Sequence, residues 1–129
     1  MSPELFYLAL VTTFTAVMWV PYILNMILVR GIADAVGYPE DPKPMAVWAI
    51  KMKAAHANAV ENLVVFATLV LLAFAVGAFN ECTATAAAVY FWARVVHFLA
   101  YTFRIPWVRT LAFAVGWLAQ MAFAWHILT

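Results

Sequence analysis

The chain has 129 residues, of which 68% are hydrophobic and only 10% charged, with a net charge of +1. A soluble domain is about half apolar and about a quarter charged, and a chain this short cannot hide so much apolar surface from water; the bilayer is its natural solvent. The near-neutral charge offers no field for nucleic acid, and the single cysteine, Cys82, excludes an intrachain disulfide and any cysteine-based metal cluster.

Four apolar runs are each long enough to cross ~30 Å of hydrocarbon at ~20 residues per span. They cover roughly 5–29, 57–79, 84–103 and 108–128, and the chain reads as one membrane domain over 1–129. Glu4 precedes the first run, no basic stretch does, and the run is span-length, so no cleavable signal peptide is expected. The segment 31–44 holds Asp34, Gly37, Pro39, Pro42 and Pro44 and cannot be one continuous helix. From Met45 no glycine or proline occurs before Gly77, which predicts one long second helix whose first turns, with Lys51 and Lys53, stand at the headgroups. A tight polar turn over 79–83 makes spans two and three antiparallel neighbours, and Pro106 suits the first turn of the fourth helix.

Arg30, Lys43, Lys51 and Lys53 lie in or beside the first loop, and Arg104 and Arg109 lie at the third. The positive-inside rule puts these loops in the cytoplasm and both termini on the far side. Trp19, Trp48, Trp107 and Trp125 read as interfacial or packing residues.

Two polar groups of side chains interrupt the apolar runs. Tyr90, Arg94, His97, Tyr101 and Arg104 follow one another at spacings of four, three, four and three. At about 100° per residue they fall within an arc of roughly 80°. An arginine deep in a span costs on the order of 2.5–3.5 kcal/mol even on a lenient scale, so this face reads as a site. In the second span Asn58, Glu61 and Asn62 share an arc of about 100°, while His56 points elsewhere. Glu61 and Arg94 fall at comparable depth on antiparallel helices, which predicts that they pair, with Asn58 or Asn62 joining them. The alternative for that pair is purely structural: polar side chains often hold membrane helices together. The stripe runs from the pair towards Arg104, where Arg109, Arg30, Lys51 and Lys53 also converge. That makes a cationic pocket mouth suited to an anionic or peptide-like ligand. No spacing suits a metal, and none of the glycine-rich phosphate loops or nucleophile elbows is present.

The run Lys53-Ala-Ala-His56-Ala-Asn58-Ala-Val-Glu61-Asn62, then Phe66, resembles the second-helix signature of the MAPEG family, the membrane-associated proteins of eicosanoid and glutathione metabolism. Arg94-Val-Val-His97-Phe-Leu-Ala-Tyr101, followed by Ile105-Pro106-Trp107-Val108-Arg109-Thr110-Leu111, resembles that family's other signature. The likeness is to small bacterial members and covers essentially the whole chain. It implies an all-α integral membrane fold, a four-transmembrane-helix bundle assembled as a homotrimer, set in a bacterial inner membrane. It implies glutathione as co-substrate, bound between subunits near the cytoplasmic face, and a lipophilic electrophile or hydroperoxide as the second substrate. By motif position Arg109 is the arginine that stabilises the thiolate, with Arg104 close enough to compete, and Tyr101 is a hydrogen-bond donor to thiolate or substrate. The cofactor-binding candidates are Arg30, Lys53, His56, Asn58, Glu61, Arg94, His97 and Arg104. Where characterised eukaryotic members carry arginines beside the His–Asn pair, this chain has Ala54 and Ala57, with lysines nearby. A lysine is a point charge rather than a fork for a carboxylate. The competing reading is a non-enzymatic lipid-binding or structural module on the same fold; a transporter is disfavoured because no interrupted spans or inverted repeats occur.

Overall fold

A computed structural model describes all residues, 1–129, and contains only helices. They are α1 (Pro3–Val17), α2 (Trp19–Arg30), α3 (Ile32–Val36), α4 (Val47–Ala75), α5 (Glu81–Thr102) and α6 (Pro106–Leu128). Four stretches are long and apolar enough to cross a membrane: Pro3–Arg30, Val47–Ala75, Glu81–Thr102 and Pro106–Leu128. The four expected spans are therefore present, with adjusted ends. The second stops at Ala75 rather than at residue 79, and the turn that follows occupies 76–80.

The first span, continuous by apolar run length, is broken at Met18. Pro21 has no N–H to offer the Val17 carbonyl one turn before it, and its ring crowds that carbonyl. The ladder slips at that point: Met18 N–H reaches Thr15 O at 3.3 Å, and α2 begins at Trp19. In the loop after α2, Arg30 Nε donates to Lys43 O at 2.7 Å, and Ala46 N–H donates to Asn25 Oδ1 at 3.0 Å. These bonds lead the proline-rich segment back across the end of α2 and fix where α4 starts.

The ends of α4 and α5 close by the same motif. At α4, Ala78 N–H bonds Ala73 O and Gly77 N–H bonds Phe74 O, with Gly77 at φ +72°. At α5, Ile105 N–H bonds Ala100 O and Arg104 N–H bonds Tyr101 O, with Arg104 at φ +60°. This termination needs a left-handed residue, usually glycine. An arginine there bears a Cβ penalty of about 1 kcal/mol.

α5 is the centre of the bundle, packing on α6, α4 and α1. Lipid tails are as apolar as leucine, so helix association in a membrane depends on close packing rather than on escape from water. Small residues supply it: Ala86, Ala93 and Ala100 on α5 and Ala112, Gly116 and Ala119 on α6 are all buried, and a Cβ added at Gly116 would lie 3.9 Å from the Ala93 Cβ. A larger cluster joins Val11, Phe66, Tyr90 and Phe123, with the Phe66 and Tyr90 rings stacked at 3.7 Å between centroids. A second cluster, around Met18, Met52, Ala55 and Phe98, lies toward the Arg104 end.

The opposite end is fastened by a polar clamp. Asn80 and Thr83 form a reciprocal capping box at the start of α5. Thr83 Oγ1 also lies 2.7 Å from Oε1 of Glu4, whose side chain is buried against it, which ties α1 to α5. Thr83→Val removes the cap acceptor and strands the Glu4 carboxylate while keeping the shape. It is expected to cost about 2 kcal/mol, read as a lower thermal midpoint in detergent.

Candidate functional site

Helical spacing sets Arg94, His97 and Tyr101 on one face of α5. Arg94 is only 2% exposed. Its Nη2 donates to Asn58 Oδ1 on α4 at 2.8 Å and to His97 Nδ1 at 3.2 Å. Arginine has no acceptor atom, so His97 Nδ1 must accept, which leaves the ring proton on Nε2. Nδ2 of Asn62 donates to the Asn58 carbonyl at 2.9 Å, and Nε2 of Gln120 donates to the Asn62 carbonyl at 3.2 Å. A polar layer therefore crosses α4, α5 and α6 within the membrane-spanning part of the bundle. Two buried polar atoms in this region have no partner, Arg94 Nε and Tyr90 Oη.

The expected Glu61–Arg94 pair does not form. α4 is turned so that Asn58 and Asn62 face α5 and α6, while Glu61 stands exposed on the flank that also carries Lys53, Ala57 and Val64. The hydrogen-bond partners of Arg94 are an amide and an imidazole. Asn58 and Glu61 differ by only about 60° around the helix, and the packing of Ala55, Ala59 and Phe66 decides between them.

Arg109 opens towards this layer from the first turns of α6. Its guanidinium carbon lies 4.8 Å from the centroid of the Tyr101 ring, a cation–π contact worth about 0.5–1 kcal/mol where water reaches it. The His97 and Tyr101 rings meet edge to face at 5.6 Å. Two cavities share Tyr101 and Arg109. The inner one, about 280 Å³, is lined by Asn58, His97, Tyr101, Arg109, Thr110 and Phe113. The outer one, about 180 Å³, is lined by Lys51, Tyr101, Arg104, Ile105, Pro106 and Arg109. Together they form a cleft with three cations at its mouth and hydrogen-bonding side chains on its floor.

The structure thus brings together Asn58, His97, Tyr101, Arg104 and Arg109, with Arg94 bracing the floor from beneath. Four other candidates lie away from the cleft within the chain. Arg30 is bound to the Lys43 carbonyl, and His56 Nδ1 lies 2.8 Å from the Tyr22 hydroxyl in the contact between α2 and α4. Lys53 and Glu61 are exposed on the flank of α4. Tyr90, the first residue of the α5 stripe, belongs to the core with Phe66. Sequence reasoning did not assign Thr110 or Phe113, although Phe113 follows Arg109 by four and so shares its face. Lys51, which the charge pattern sets at the pocket mouth, lines the outer cavity.

No group of histidine, cysteine, aspartate and glutamate side chains is arranged to hold a metal ion. No curated protein and no solved structure matches the chain. Residues 8–129 match the MAPEG family, which spans nearly the entire chain and both motifs that build the cleft. The chain, a four-helix integral membrane bundle, belongs to the MAPEG family.

Proposed function

We propose that the protein is a membrane-bound glutathione-dependent transferase or peroxidase acting on lipophilic electrophiles or hydroperoxides. The family includes such enzymes. The observation that carries the reading is Arg109, a guanidinium shared by two joined cavities and held against Tyr101.

The donor set suits the tripeptide. Lys51, Arg104 and Arg109 offer cationic partners for carboxylates at the mouth. Asn58 and the Nε2–H of His97 offer hydrogen bonds to a peptide backbone deeper in. A free thiol has a pKa of about 8.5 and is mostly protonated at neutral pH, while the thiolate is the nucleophile. The Arg109 guanidinium favours the anion wherever the sulfur lies against it. The Tyr101 hydroxyl, one α5 turn beyond His97, donates to the thiolate or to the oxygen of the second substrate.

The proposal includes a homotrimer. Glu61 lies exposed on one face of a membrane-spanning helix, with Lys53 on the same flank nearer the headgroups, and an unpartnered charge within the span is costly. A neighbouring copy covers that face and completes the cleft, which brings Glu61, Lys53 and Arg30 back into the binding set. The basic end faces the cytoplasm of a bacterial inner membrane, by the positive-inside rule.

Calorimetric titration of millimolar glutathione into the detergent-solubilised protein tests the reading. Saturable binding is expected, together with conjugation of a lipophilic aryl halide or reduction of a lipid hydroperoxide. Absence of any binding over that range contradicts it.

A further inference from the structure

Arg104 occupies the left-handed position that closes α5, where the equivalent residue of α4 is Gly77. A glycine would satisfy that backbone without strain. A strained residue is retained where its side chain contributes something else. Arg104 borders the outer cavity of the cleft, but it also borders a separate crevice of about 260 Å³ between the start of α4 and the end of α5. That crevice is lined by Val47, Trp48, Thr102, Phe103 and Arg104. The Thr102 hydroxyl is committed to Phe98 O at 2.8 Å. The free donors of the crevice are therefore the Arg104 guanidinium and the Trp48 indole N–H, and no carboxylate stands among its walls.

Below the crevice, Phe103, Leu99, Val96 and Trp92 form an exposed line down α5 at spacings of four, three and four. Trp92 and Val96 continue into an apolar groove of about 500 Å³ against Leu111 and Val115 of α6. The rise from Phe103 to Trp92 is ~16 Å at ~1.5 Å per residue, about half of the ~30 Å hydrocarbon thickness. The apolar channel is thus one leaflet deep, with a cation and an indole at its headgroup end.

We infer that this face binds one glycerophospholipid of the leaflet at the basic end. Its phosphate is held by Arg104 and Trp48, and one acyl chain runs along Leu99 and Val96 into the α5–α6 groove. A guanidinium matches a phosphate with two parallel hydrogen bonds, and the apolar channel takes what the headgroup carries. The crevice adjoins the cleft and shares Arg104 with its mouth, but the lipid site does not depend on the thiol reading.

Native mass spectrometry of the purified full-length protein, delipidated in detergent and then incubated with phosphatidylglycerol, tests the site. The wild type is expected to retain one lipid per chain. Arg104→Gly is expected to retain about tenfold less, the usual scale for losing a charge-assisted hydrogen bond. In lipid-free detergent its melting temperature should rise, because the backbone strain is gone. Arg104→Asn, which tolerates the left-handed conformation without the charge, should lose lipid equally and provides a second variant should the glycine form fail to fold. Trp92→Ala should also weaken retention. Undiminished lipid in Arg104→Gly or Arg104→Asn overturns the headgroup site, and undiminished lipid in Trp92→Ala overturns the acyl groove. Complete displacement by equimolar inorganic phosphate overturns the lipid assignment in favour of a free anion.

Discussion

Arg109→Ala is expected to lower glutathione-dependent turnover by about 100-fold, the scale on which a single preorganised electrostatic donor acts. The loss should fall on kcat/KM at neutral pH and shrink as pH rises, because alkaline solution ionises the thiol without help. Arg109→Lys keeps a charge but not the planar fork and should recover only part of the rate. Assembly should be untouched, since Arg109 is partly exposed and its contact within the chain is the Tyr101 ring. Arg104→Ala provides the control. Of the two cavities of the cleft, Arg104 lines the outer one alone, whereas Arg109 lines both, so removal of Arg104 should leave far more of the rate. Steady-state kinetics of the two variants, beside size-exclusion profiles, decide between them.

Asn58→Leu is expected to be the most destabilising substitution in the cleft, at about 3 kcal/mol. A buried guanidinium then loses its amide acceptor, and a hydrogen bond to a charged group is worth about 1.5–3 kcal/mol before the stranded charge is counted. Arg94→Leu in the same chain should recover much of the loss, because two apolar residues leave no unpaired buried charge. Thermal unfolding in detergent of both single variants and the double gives the coupling energy directly, and additive losses would contradict the Asn58–Arg94 contact. Glu61→Gln, by contrast, should leave the protomer's melting behaviour nearly unchanged, since Arg94 donates its hydrogen bonds to Asn58 and His97.

The contrast between Asn58 and Glu61 marks where the sequence stops being legible. Span positions follow from apolar run length. Pro106 at the start of α6 and Gly77 after α4 are local backbone chemistry, and the convergence of Tyr101 with Arg109 follows from helical spacing and a short connection. The azimuth of α4 does not. A turn of about 60° exchanges a carboxylate for an amide opposite Arg94, and alanines that resemble one another in sequence decide it by how closely they pack. Electrostatic intuition favoured the carboxylate; packing selected the amide.

Other differences have similarly local causes. The break at Met18 had a visible signal in Pro21, four residues after the Val17 carbonyl it leaves unbonded. The left-handed Arg104 had none, since arginine is a poor marker of that conformation and only the closing hydrogen bonds of α5 expose it. Tyr90 shares the stripe's face by angle but lies deeper, where Phe66 takes its ring into the core. His56 is drawn to Tyr22 because the Met18 break sets α2 against the first turns of α4.

The central claim is that the cleft shared by Tyr101 and Arg109 holds a thiol as its thiolate, and difference absorbance reads this without any second substrate. Glutathione added to the solubilised wild-type protein at neutral pH should produce a saturable thiolate band, and the same titration of Arg109→Ala should produce none. A wild-type protein that binds glutathione without that band, or an Arg109→Ala protein that retains it, contradicts the claim.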